Sequence, residues 1–307
     1  TDLIVHMRVG ALTPELVIDS KAIPELRQLR IDSANGMTVG AAVPCHEMYQ
    51  NDAVAEAYPG LIDAATLVGG IQIQGRASFG GNLCNSVPSG DTIPAMIVHN
   101  AVCRITGPKG TREVPVEDFC TAPRKNVLEP DEMLVSINFP STPPNFGGRY
   151  IRFIPRNEMD IAVVGVGVSV TLDNGTIQSA RISLGAVAPT PILVDDAAQA
   201  LVGQSSDDEE AISRAGKIAK EIVQCVNQNK METTFDLRNA ICNVVPERFQ
   251  VKALARVFQA IRIKINNEIK VLKRTMELAT EFLNSGGRLV IISYHSLEDK
   301  MVKSFIT

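Results

Sequence analysis

Residues 75–83 read Gly75-Arg76-Ala77-Ser78-Phe79-Gly80-Gly81-Asn82-Leu83. Two adjacent glycines can turn successive backbone N–H groups toward one point and let an anion approach the main chain closely, the geometry of a phosphate-binding nest. The stretch is not a P-loop, because Gly81 stands where the lysine belongs, and the chain contains no G-x-G-x-x-G dinucleotide fingerprint. A plain turn is the competing reading. A second turn-rich segment follows, Asn85-Ser86-Val87-Pro88-Ser89-Gly90-Asp91. Asp91 can accept hydrogen bonds from ligand hydroxyls, or cap the helix that Thr92-Ile93-Pro94-Ala95-Met96 would open.

Around this centre the pattern is one of short elements. Leu3-Ile4-Val5-His6-Met7-Arg8 and Leu16-Val17-Ile18-Asp19 read as strands. Leu29–Ile31 and Met37–Gly40 form a hairpin about Asn35-Gly36, a strong short-range turn signal. Met48, Val54, Leu61, Ala64 and Leu67 fall near three-to-four spacing, so residues 45–70 are expected to be helical, with Pro59 opening the second helix. Strands are expected at Val102–Thr106, Leu134–Ile137, Ile161–Leu172 and Ser179–Gly185, with Asp173-Asn174-Gly175 as a turn, and Leu193–Glu221 is mainly helical. The order lacks regular βαβ spacing and predicts an α+β fold of two small lobes.

Composition divides the chain. Residues 1–223 hold 17 Lys+Arg against 26 Asp+Glu and residues 224–307 hold 13 against 8; −9 and +5 sum to the −4 of all 307 residues. Glycine divides 20 to 2 and proline 16 to 1 across the same point. Such asymmetry suggests domains with different partners. The six cysteines never form C-x-x-C, so reduced thiols of a cytoplasmic protein are expected, with no zinc or iron–sulfur ligation. No apolar run reaches the roughly 20 residues of a membrane helix, and no secretory signal opens the sequence.

The stretch Val68-Gly69-Gly70-Ile71-Gln72-Ile73-Gln74-Gly75 through Asn82, followed by Ser86–Asp91, resembles the FAD-binding medium subunit of molybdenum hydroxylases of the carbon monoxide dehydrogenase and xanthine dehydrogenase type. Leu128–Leu134, Arg156 with Asp160–Val164, and Leu184–Pro191 extend the likeness in order over about residues 1–220. The resemblance implies that Ser78, Phe79, Gly80, Gly81 and Asn82 hold the FAD pyrophosphate through backbone amides, and that Asp91 binds a ribityl or ribose hydroxyl. It places Val68 and Leu134 beside the cofactor. Arg152 takes a position often filled by Lys near the flavin, where a cation stabilises the anionic reduced ring; a solvated strand charge is the alternative. Thr1 falls immediately after where the family's first glycine-rich loop belongs. Half of the pyrophosphate cradle is therefore expected to be missing, and with charge-assisted contacts worth about 1.5–3 kcal/mol each, FAD affinity is expected to be reduced.

The second part has its own pattern. Thr233 or Thr234 can cap a helix from about Phe235 to Val244. Phe258, Ile261, Ile265, Ile269, Leu272, Met276, Ala279 and Leu283 then predict one long helix ended by Gly286-Gly287, followed by a buried-type strand Arg288–Ser293. His295, Ser296, Glu298 and Asp299 lack the G-x-S-x-G elbow and do not make a triad. Lys264, Lys270, Lys273 and Arg274 read as a solvated face or a nucleic-acid contact. Met231–Leu237, Arg256–Ile263 and Gly286–Lys300 resemble the bacterial ribosomal small-subunit RNA cytosine methyltransferase over about residues 221–307. Its S-adenosylmethionine loop has no counterpart upstream, so methyl transfer is not expected.

The sequence thus predicts an α+β, two-lobed FAD-binding domain of medium-subunit type, N-terminally truncated, and then a helix-rich α/β methyltransferase fragment. Domains are expected at 1–145, 146–220 and 221–307, joined near residues 217–224 as a chimera. The expected function is electron transfer through FAD, from an iron–sulfur subunit to NAD or another acceptor, in a complex with a molybdopterin subunit. No acid–base catalytic residue and no metal ligand are expected. A methyltransferase-derived module in contact with rRNA, or an inactive remnant, are the alternatives.

Overall fold

A computed structural model describes residues 2–154, 160–227, 272–276 and 302–305. In chain order the elements are α1 (Asp2–Arg8), β1 (Leu29–Asp32), β2 (Gly36–Gly40), α2 (Cys45–Tyr49), α3 (Asp52–Ala57), α4 (Pro59–Leu67), α5 (Ile71–Gln74), α6 (Phe79–Asn85) and α7 (Thr92–Val98). There follow β3 (Val102–Gly107), β4 (Gly110–Pro115), α8 (Val116–Phe119), β5 (Cys120–Ala122), β6 (Lys125–Asn126), β7 (Met133–Phe139) and β8 (Phe146–Phe153). The series ends with β9 (Val164–Asp173), β10 (Thr176–Gly185), β11 (Ile192–Leu193), α9 (Asp195–Gln199) and α10 (Glu209–Asn227).

The α+β expectation holds. An antiparallel sheet in the order β1-β2-β7-β3-β4 carries the first lobe, and a second antiparallel sheet, β11-β10-β9-β8, carries the second. The β1–β2 hairpin turns through Ser33-Ala34-Asn35. Asp32 accepts the Ala34 and Asn35 amides, and Gly36 supplies the positive φ of 87°. Met48, Val54, Leu61 and Ala64, picked out by their spacing, are all buried in the first core, but they are spread over three helices, α2, α3 and α4, where two were expected.

Helix α7 is buried along its entire length. It lies between the helices of the first lobe and one face of the second sheet. That face is lined by small residues. A Cβ on Gly167 would stand 2.6 Å from the Pro94 carbonyl oxygen, and one on Gly185 2.8 Å from the Pro94 ring. Only glycine lets helix and sheet approach so closely. The opposite face packs its valines and Ile182 against α9 and α10 in a second core.

Two of the expected strands are absent. Residues 2–8 are helical rather than extended, with Leu3, Ile4 and Val5 exposed. Lacking a ladder partner among the described residues, the segment satisfies its backbone locally, with Asp2 in the first turn and His6 and Arg8 in the last. Residues 16–18 form no strand either, and Asp19 caps a 3₁₀ turn at Ser20–Ala22. Apolar runs this short cannot distinguish strand from helix or coil.

The chain separates into two compact units, residues 1–239 and 240–307. In the second, residues 272–276 are helical, with Lys273 and Arg274 exposed and Met276 buried, as the long-helix pattern requires. The expected helix at 235–244, the rest of the long helix, the strand at 288–293, His295–Asp299 and Arg156 lie outside the described residues. Among the described residues no helix is long and apolar enough to cross a membrane, and no cluster of metal-ligating side chains occurs.

Candidate functional site

The Gly75–Leu83 stretch is not a nest. Neither Gly80 nor Gly81 has a positive φ; both lie in the first turn of α6. Ser78 is the N-cap, in extended conformation, and its Oγ accepts the Gly81 amide at 3.0 Å while its carbonyl accepts the Asn82 amide at 3.0 Å. A helix start offers its first N–H groups to an anion as a nest would, by a different backbone route. Phe79 anchors the turn in the first core, 1% exposed. Gly80 is needed for closeness rather than for φ, because a Cβ there would stand 2.5 Å from the Ala41 carbonyl oxygen. Gly81 is exposed, and a Cβ there would meet only Ser78 Oγ, at 3.1 Å.

From this turn α6 packs on β7, where Leu134 is buried opposite Ile105. The Asn82 side chain abuts Gly90, whose Cβ would stand 3.3 Å from Asn82 Oδ1, so the second turn segment lies against the first. Val68 is half-buried where α4 ends. The structure therefore draws Ser78–Asn82 and the Gly90–Asp91 turn together, with Leu134 on the strand that α6 packs on; Val68 lies at the end of α4, against the first core.

Asp91 does not cap α7 with its side chain. Its carboxylate turns to β8, where Oδ1 accepts the Tyr150 hydroxyl at 2.9 Å and Oδ2 accepts Arg152 Nη1 at 2.7 Å. The alternation along β8 explains the pairing. Gly148, Tyr150 and Arg152 point inward while Arg149, Ile151 and Phe153 point out. The Arg152 side chain is 6% exposed, which excludes a solvated strand charge. Its Nε is buried without a partner, as is the hydroxyl of Thr92 beside Asp91. Burial pushes the Asp91 carboxyl up from its ordinary value, opposed by the Arg152 charge and the two hydrogen bonds. Burial and the Asp91 charge push the Tyr150 hydroxyl up as well.

Sequence reasoning missed Tyr150, Asp63 and His99. Asp63 on α4 accepts the Tyr150 amide at 3.1 Å and pairs with Arg149 at 3.2 Å, fixing β8 to the first lobe. His99 fills the space between α7 and β8, its Nδ1 2.7 Å from the Ala95 carbonyl and its ring edge-on to Phe146. The two-residue alternation Gly148-x-Tyr150-x-Arg152 is the signal that could have found Tyr150.

A two-lobed α+β protein with a buried carboxylate–guanidinium pair where the lobes meet, beside the start of a capped helix, matches known proteins along most of its length. Residues 1–142 match the family profile described as FAD binding domain in molybdopterin dehydrogenase, and residues 149–253 match the CO dehydrogenase flavoprotein C-terminal domain. The chain belongs to the family of FAD-binding subunits of molybdenum hydroxylases of the xanthine dehydrogenase and carbon monoxide dehydrogenase type, whose cofactor is FAD. It is 31% identical over 200 residues to the xanthine dehydrogenase FAD-binding subunit of Escherichia coli O157:H7, covering 65% of this chain and 68% of that one. To the carbon monoxide dehydrogenase medium chain of Afipia carboxidovorans it is 28% identical over 254 residues, 83% of this chain and 86% of the relative. Among solved structures, a carbon monoxide dehydrogenase of Hydrogenophaga pseudoflava superposes with a TM-score of 0.68 at 30% identity, over 72% of this chain and 76% of the other.

Residues 205–307 match the MraW methylase family. The ribosomal RNA small subunit methyltransferase H of Hydrogenovibrio crunogenus is 45% identical over 93 residues, so the chain spans 30% of that relative.

Proposed function

We propose that the chain binds FAD at the α6–Asp91–β8 site and serves as the electron-transfer subunit of a molybdenum hydroxylase, receiving electrons from an iron–sulfur subunit and passing them to NAD or another acceptor. A molybdopterin subunit would complete the complex. The observation that carries this reading is the buried Asp91–Arg152 pair, 2.7 Å apart, set beside the first turn of α6.

The residues fit the cofactor. The start of α6 leaves the Ser78 and Gly80 amides outside the helix's own ladder, with Phe79 held in the bridge between Pro44 and Ser78 and Gly81 and Asn82 completing the turn, and the exposed, side-chain-free Gly81 leaves room for a pyrophosphate. A carboxylate has about four acceptor positions. Asp91 uses one per oxygen on Tyr150 and Arg152, leaving others for a ligand hydroxyl. Arg152 supplies a cation and an unpartnered Nε–H. Half-buried Val68 supplies apolar surface, and Leu134 sits in the core on β7, the strand that α6 packs on. FAD, when bound, supplies the redox chemistry, and the protein's part is positioning and electrostatics.

We also infer that the flavoprotein-like and methyltransferase-like segments join near residues 217–224. Both likenesses overlap there, and α10 runs through that span as one helix. The full chain purified after expression with flavin is expected to be yellow, absorbing near roughly 450 nm. A colourless protein that takes up no added FAD would overturn the reading.

A further inference from the structure

Tyr150 holds Asp91 from the side opposite Arg152. Tyr150 is 3% exposed, its ring belongs to the first core, and its hydroxyl donates to Asp91 Oδ1 at 2.9 Å. Its backbone is pinned as well, through its amide to Asp63 Oδ2 at 3.1 Å and through pairing with Gly167 on β9. Two residues away on the same strand, a Cβ on Gly165 would clash with the Tyr150 hydroxyl oxygen. Gly165 is also the cross-strand partner of Arg152. The missing side chain at 165 is thus what admits the hydroxyl. Placing a phenol in a core where its hydroxyl has one destination restricts that destination too: the Asp91 carboxylate is held between two fixed donors from one strand face.

We propose that Tyr150 is a positioning residue of the cofactor site, acting through Asp91. With Arg152, its hydroxyl fixes the carboxylate so that the remaining lone pairs face a ligand hydroxyl. This rests on the reading that the site takes FAD. Among the described residues, Arg152 and Tyr150, both on β8, are the charged and titratable groups that act on Asp91. Removing the Tyr150 hydroxyl takes away one of the interactions that favour the ionised carboxylate, so ligand affinity should begin to fall at a higher pH as the solution is acidified.

The test is a titration of the full chain with FAD, followed by flavin fluorescence, across a range of pH. Tyr150→Phe should weaken binding about tenfold, or about 1.4 kcal/mol. It should also move the acid limb of the affinity profile upward. Tyr58→Phe is the control. That hydroxyl is also bonded in the first core, to the Pro140 carbonyl at 2.8 Å, so the variant should leave both affinity and profile in place. In an Asp91→Asn background, Tyr150→Phe should add little further loss, since the two act as one unit. Gly165→Ala displaces the hydroxyl without deleting it and should follow Tyr150→Phe; it carries the comparison if that variant does not fold. Wild-type binding with Tyr150→Phe unchanged, a shift shared by Tyr58→Phe, or additive losses would overturn the role of Tyr150 alone. A wild-type chain that binds no FAD would overturn the function and this role together.

Discussion

Asp91 and Arg152 form an ion pair 2.7 Å long with the two side chains 10% and 6% exposed, one at the entry to a buried helix and the other on the edge strand of the second sheet. Breaking such a pair from one side leaves an uncompensated charge, which costs more than the pair contributes. Arg152→Met is therefore expected to destabilise the chain by about 3–5 kcal/mol. The double variant Arg152→Met/Asp91→Asn should recover part of the loss. Urea unfolding of the three proteins checks this, and a double variant less stable than Arg152→Met would contradict it.

The two glycines of α6 should respond in opposite ways. Alanine at Gly80 drives a Cβ against the Ala41 backbone and should cost about 1–3 kcal/mol. Alanine at the exposed Gly81 meets only a hydroxyl and, in a helical turn, is expected to be neutral or stabilising by up to about 1 kcal/mol. If the pyrophosphate approaches the turn, Gly81→Ala will weaken FAD uptake without loss of stability. Melting curves and flavin titration of both variants separate the two effects.

Ser78 closes the same helix start. Ser78→Ala loses the acceptor of the Gly81 amide and should cost about 0.5–2 kcal/mol, read as a lower urea midpoint. Ser78→Asp, which retains a capping oxygen, should recover most of the stability, but it sets a negative charge where the pyrophosphate would lie and should still impair FAD binding.

His99 makes stability depend on pH. Burial holds its imidazole down at about 4, below the ordinary histidine value of 6.5. The unfolded chain therefore takes up a proton before the folded chain does. The stabilising contribution is complete above about pH 6.5 and is lost as pH falls toward 4, amounting to roughly 3 kcal/mol across that window. His99→Met should flatten the urea midpoint between these limits relative to wild type, and an unchanged slope would refute the assignment.

Much of the fold was legible because its signals were local. Asn35-Gly36, Pro59, Asp173-Asn174-Gly175 and the helical spacing from Met48 to Leu67 each act within a few residues, and each stands where the sequence put it. Leu3–Val5 and Leu16–Ile18 misled because a short apolar run specifies hydrophobicity without a partner, and the partner decides strand or helix. The site was half legible. Gly80-Gly81 and Asp91 stood out by residue type, and Ser78, Phe79, Asn82 and Arg152 through the family resemblance, whereas Tyr150 gave no signal by itself. Its role depends on the register that sets Tyr150 opposite Gly167, Arg152 opposite Gly165 and the β8 face against Asp91. Gly80 was noticed for the wrong reason. Its purpose is a contact with Ala41, nearly forty positions away, which no local pattern records.

The interposed helix α7 has a thermodynamic consequence. Asp91 leads into α7 while Arg152 belongs to the sheet packed across it, so a molecule engaging both would act as a staple through the layers. Its binding free energy then becomes part of the cohesion of the molecule. At a hundredfold excess over its dissociation constant, such a ligand would raise the cost of unfolding by about 2.7 kcal/mol, and heat resistance would track cofactor supply.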